Sequence, residues 1–152
     1  MGSNNMKTEL INAISTGNFY FAKQLLFTMP SESIVSFLID LALETNLIGI
    51  YTFILFLLLE KESIFFHEVA ISVLSVSMWE GANASAFLHA RRIIEFAPTD
   101  ITKKENLLTY FGIPDCVMSQ EEATSLAKEI LTQDPTNVIA LKTIAQIINK
   151  VN

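Results

Sequence analysis

The chain has 152 residues, 51% of them hydrophobic, which is enough for a domain with a substantial core and excludes a disordered chain. Charged residues reach only 17%, against roughly 25% in an average globular domain. The formal net charge is −6, from 16 acids and 10 bases, and the single cysteine, Cys116, excludes an intrachain disulfide and a cysteine metal cluster.

Taken from the amino terminus, Met1–Asn5 reads as a tag-like or disordered leader, and residues 6–152 as one helical-repeat domain. The opening MGSNNMKTELINAI holds no apolar stretch of secretory-signal length, and Met6 stands where a myristoylation motif wants Ser or Thr. A cytoplasmic location is the expectation. A first helix spans about Met6 to Thr16 and stops at Gly17, a residue suited to the left-handed turn that ends helices. Asn18 caps a second helix that stops before Pro30. Within it, FYF at Phe19–Phe21 is too brief for a strand. Ser31 is expected to cap a third helix, running to about Asn46.

The fourth helix carries the apolar run LIGIYTFILFLLL, Leu47 to Leu59, inside 15 uncharged residues between Glu44 and Glu60. A membrane-spanning helix needs about 20 apolar residues, so this run reads as a core helix of a domain with no membrane partner. Ser63 opens a fifth helix through Trp79, broken at Gly81. A sixth covers about Asn83–Ala97 and a seventh about Asp100–Phe111, ended by Gly112 and Pro114. Ser119-Gln-Glu-Glu122 has the form of a capping box that opens the eighth. Thr136 or Asn137 opens the ninth, whose stripe Leu141, Ile144, Ala145, Ile148 and Val151 is expected to pack back and close the stack.

Three segments share one pattern: AKQLLFTMP at Ala22–Pro30, ARRIIEFAP at Ala90–Pro98 and AKEILTQDP at Ala127–Pro135. Small Ala lets a neighbouring helix approach closely, and aliphatic residues three and four positions on share its face. Proline then ends the helix. At the expected intermediate position, near Phe56, FLLLEKESI keeps only the apolar character. Recurrence at intervals of 20–50 residues signals stacked helix pairs.

The spacing resembles the tetratricopeptide repeat, a 34-residue helix–turn–helix unit. Ala86, Ala90, Ile93 and Pro98 match that family's second helix, as do Ala123, Ala127, Ile130 and Pro135. Leu141, Ile144, Ala145 and Ile148 stand where the family has Trp, Leu, Gly and Tyr. The resemblance implies an all-α chain of about nine helices, in antiparallel pairs stacked as a short, right-handed, tetratricopeptide-like solenoid. It also implies a concave face that holds proteins or peptides.

Motifs for chemistry are sparse. His67-Glu68 is half of a zinc-protease motif, but Ile71 stands where the second His belongs. His89 reads as a helix residue, and Cys116 has only two histidines in the chain to serve it as a base. The acidic pairs Glu60/Glu62 and Glu121/Glu122 have nothing to recess them. The cluster Arg91, Arg92, Lys103 and Lys104 lacks interleaved aromatics and can pair with Glu95, Asp100 and Glu105, so nucleic acid is not an expected partner. No enzyme activity, metal or cofactor is expected.

Charge placement is uneven. Between Ser31 and Glu80 stand Glu32, Asp40, Glu44, Glu60, Glu62, Glu68 and Glu80 against one base, Lys61, which leaves −6; the remainder balances. Such a stretch repels nucleic acid and anionic lipid and steers basic partners. It equally suits a solvated face kept for solubility. The expected role is a protein-binding domain of monomers or weak dimers, similar to small acidic immunity proteins that neutralise a basic toxin. The alternative is a peptide-binding scaffold, regulator or chaperone of a larger assembly. The candidate partner-binding residues are Asp40, Glu44, Glu68, Met78, Trp79 and Glu80, with Trp79 as anchor or, instead, as a residue closing a helical layer.

Overall fold

The computed structural model describes residues 3–46 and 48–151. Among the described residues there are nine helices and no strand. They are α1 (Ser3–Ser15), α2 (Phe19–Leu26), α3 (Ser31–Thr45), α4 (Ile48–Glu60), α5 (Ile64–Val76), α6 (Ala82–Phe96), α7 (Ile101–Leu108), α8 (Gln120–Gln133) and α9 (Val138–Val151). Ser3–Asn5, read above as leader, belong to α1, while Met1 and Gly2 lie outside the described residues. The chain forms two compact units, Met1–Ala82 and Asn83–Asn152.

In the first unit α4 is the centre. It is apolar on nearly every side and packs against α1, α2, α3 and α5. Ile50, Phe53, Ile54, Leu57 and Leu58 are buried there with Leu10, Leu26, Ile34, Leu38, Leu41, Val69 and Val73. That burial is what an uncharged 13-residue helix requires. Among the described residues no helix is long and apolar enough to cross a membrane. Leu47, the first residue of the apolar run, lies outside the described residues.

Local chemistry sets the helix ends. Gly17 takes φ +73° after α1, and the Asn18 side chain accepts a hydrogen bond from the Phe21 backbone N–H at 3.4 Å. Helix α2 is shorter than its sequence pattern suggests: it stops at Leu26, and turns carry the chain to Pro30. Pro30 itself holds the cap position of α3, so Ser31 is the first helical residue and no side chain caps this helix. The fixed φ of proline and the extended backbone after it make Pro30 a natural entry to a helix. Asn46 ends α3 in the left-handed region, φ +45°, which Asn tolerates better than other non-Gly residues. Ser63 caps α5 through the Phe66 N–H at 3.3 Å.

In the second unit α7, α8 and α9 each pack against the other two. Helix α6 is tied by side chains to the segment between α7 and α8 and to α8 itself. The Phe87 and Tyr110 rings lie 5.7 Å apart, the Asn83 amide donates to Asp115 at 2.7 Å, and Arg91 meets Glu122 at 3.4 Å. The small-residue pattern is inward: Ala86, Ala90 and Ile93 are buried on α6, and Ala123, Ala127 and Ile130 on α8. Asp100 caps α7 and Ser119 caps α8, each accepting a backbone N–H at 3.1 Å. The Glu122 carboxylate reaches Arg91, so the expected capping box is drawn into a tie between helices. Asn137 opens α9, its side-chain amide oxygen accepting from the Ala140 backbone N–H at 3.1 Å.

The packing face of α9 differs from expectation. Ala140, Thr143 and Ile147 are buried and Ile144 is half-buried, whereas Leu141, Ala145 and Ile148 face solvent. The Val151 side chain lies outside the described residues. Ala140 is fully buried, and its small side chain permits the close approach of a neighbouring helix that a leucine would block.

Candidate protein-binding surface

All six candidate partner-binding residues fall in the first unit. Asp40 and Glu44, four residues apart on α3, share one side of that helix. The helix buries Ile34, Leu38, Leu41 and Ala42 instead, and leaves both acids exposed. Glu44 lies in the last turn, where the helix dipole disfavours an acid, and it is ion-paired with Lys7 of α1. Glu60 is held in the same way by Lys23 of α2, at 2.5 Å. Glu68 lies on α5 between the buried His67 and Val69 and is half-buried.

Met78 and Trp79 are not helical, contrary to expectation, and Glu80 lies in the same loop. Helix α5 ends at Val76, and Ser77 is extended. The Ser77 hydroxyl bonds back to the Val73 carbonyl at 2.7 Å, and the chain turns at Gly81, φ +80°. Trp79 packs on the core with its ring 6.4 Å from that of Tyr51. It therefore fastens the loop, while its neighbours project: Met78 is 91% exposed and Glu80 is exposed. The largest apolar group offered to a partner on this loop is Met78 rather than the indole.

The charge boundary coincides with the structural one. Residues 1–82 carry eight acids and three bases, a net −5, whereas residues 83–152 carry eight acids and seven bases, a net −1. Two of the three bases, Lys7 and Lys23, are held by Glu44 and Glu60.

The basic cluster of the second unit is engaged internally. Arg91 meets Glu122 and lies over the Phe87 ring at 5.7 Å, and Arg92 pairs with Glu95 and lies over Phe96 at 5.2 Å. The buried Lys104 bonds Glu129 at 3.0 Å, and Glu105 accepts from the Asn137 amide. Of the carboxylates proposed from sequence for this cluster, Glu95 takes up Arg92, while Asp100 serves as a helix cap. Glu122 and Glu129, distant in sequence, take the other roles.

His67 is buried and meets Glu62 at 3.1 Å. Among the described residues no group of three or more His, Cys, Asp or Glu side chains is placed to hold a metal ion. Cys116 is exposed at φ +50°. A depression of ≈ 600 Å³ is lined, among the described residues, by Gln120, Glu121, Thr124, Ser125 and Lys128 of α8.

Asp134, in the turn between α8 and α9, is held below the usual carboxylate range. The Thr136 hydroxyl is the largest cause, followed by the Thr136 backbone N–H, which donate at 2.8 and 3.0 Å. A depressed pKa in the folded state means that the ionised form stabilises the turn. That contribution is present above the ordinary Asp value of about 3.9 and is lost as pH falls through the folded value. Thr136→Val should move the Asp134 midpoint upward in an NMR carboxyl titration. An unmoved midpoint would remove the hydroxyl as the cause.

The sequence matches no family model, and comparisons with curated proteins and with solved structures find no match.

Proposed function

We propose that the chain is a non-catalytic protein-binding domain whose acidic unit covers a basic partner, as an immunity protein covers a toxin. The observation that carries this reading is the coincidence of charge and structure: one compact unit has net charge −5 and the other −1. A charge spread for solubility has no reason to stop at a structural boundary. An acidic surface speeds association with a basic protein and discriminates against like-charged ones. Asp40 and Glu80 supply exposed charge, and Met78, next to Trp79, supplies an adaptable apolar contact. A helical-repeat arrangement of the tetratricopeptide kind is part of the proposal. The mutual packing of α7, α8 and α9 supports it, as do the buried alanines of α6 and α8. Cytoplasmic action fits the single cysteine.

The test is capture of partners from the source lysate by the whole chain, followed by binding kinetics across a salt series. One basic partner in equal amounts is expected, with association slowing as salt rises. The double variant Asp40→Lys/Glu80→Lys should slow association severalfold at low salt. Several weak partners, or a rate indifferent to both salt and charge reversal, would leave the acidic unit as a solvated surface and make the chain a scaffold.

A further inference from the structure

A recess in the first unit has chemistry opposite to that unit's acidic surface. Lys23, Phe27, Leu57, Glu60, Lys61 and Phe66, from α2, the end of α4 and the start of α5, line a cavity of ≈ 250 Å³. Two of the three bases in the unit thus converge on one small cavity, in a unit of net charge −5. Its aromatic wall is formed by Phe27 and Phe66, in an edge-to-face pair 6.3 Å apart. Phe27 is 50% exposed, an apolar ring left available beside cations. Lys23 shares its charge with Glu60, whereas Lys61 is exposed. Ser63 caps α5 between Lys61 and Phe66, and the start of that helix adds positive potential.

We propose that this cavity holds the C-terminal residue of a partner polypeptide. An aromatic or large aliphatic side chain lies on Phe27, Phe66 and Leu57, and the terminal carboxylate meets Lys61. Size favours this occupant over a whole cofactor, because sites for drug-sized ligands usually measure about 300–1,000 Å³. Charge selects the anionic end of a chain over its interior: the lining holds two lysines and one acid, so its local charge is +1. The site goes beyond the acidic-surface reading and does not depend on it.

The experiment uses the full chain, with N-acetyl-L-phenylalanine as a mimic of a C-terminal residue and backbone amide NMR shifts as the readout. The acid is expected to shift residues 23–27 and 57–66, and its uncharged amide to bind about fivefold more weakly. Lys61→Gln should weaken the acid about threefold to fivefold and leave the amide unchanged, and Phe27→Ala should weaken both. Asp40→Lys/Glu80→Lys, which disables the acidic surface, should leave these shifts in place. Equal binding of acid and amide, or no shift along the lining, would overturn the proposal. Binding of octanoate in place of the acid would also overturn it, by assigning the cavity to a lipid carboxylate.

Discussion

Phe53→Ala should cost about 3–5 kcal/mol, the usual range for deleting a buried aromatic ring. Phe53 is fully buried at the centre of α4. Its ring stacks on Phe56 at 6.4 Å and meets Phe19 at 5.7 Å, so the truncation removes ring contacts together with buried area. Domains are stable by only ~5–15 kcal/mol, so the variant should have lost much of its resistance to urea. The comparison is Leu59→Ala on the same helix. Leu59 is 88% exposed, and its removal should change stability by no more than about 0.5 kcal/mol. Equal midpoints for the two variants in urea denaturation would mean that α4 is not the centre of the unit.

Ala127→Leu carries the second-largest effect, about 1–3 kcal/mol of destabilisation from overpacking. Ala127 is fully buried on α8, the helix that packs against both α7 and α9, and a larger side chain has to push a neighbour away. Ala145→Leu, on the exposed side of α9, adds the same atoms without confinement. It should be close to neutral. A thermal melt in which Ala127→Leu equals the wild type would show that the small residue of the repeated segments is not required for close packing.

The ends of the helices were the most legible feature of the chain, because they depend on residues next to one another. Gly17, Asn18, Ser63, Asp100 and Ser119 each act where their chemistry indicates. Ser31 misled because a proline immediately before it took the cap position. Side chains turned toward the core were legible only where one face was clearly apolar. On α9, apolar residues occupy both sides, Ala140, Ile144 and Ile147 against Leu141, Ala145 and Ile148. Periodicity alone does not choose between them; packing against α7 and α8 does. The acidic stretch was visible as composition, but its pairing with Lys7 and Lys23 spans 37 residues in each case. Met78 and Trp79 read as helical because an apolar residue and an indole continue the apolar pattern of α5. The recess between Phe27 and Phe66 joins residues from three helices and left no local trace.

The central place of α4 bears on how the chain is made. Synthesis delivers helices in order, so α1 and α2 are complete at Leu26, whereas α4, against which both pack, is complete only at Glu60. At ~5–20 residues per second, these 34 residues take about 2–7 s. For that interval α1 and α2 have each other to pack against but not α4, and α4 itself emerges as an almost uncharged segment. The nascent chain thus passes through a stage at which its most apolar helix is exposed before α5 can cover it. Slowing synthesis between residues 60 and 76 would prolong that stage and favour chaperone capture or aggregation, with no change in the folded protein.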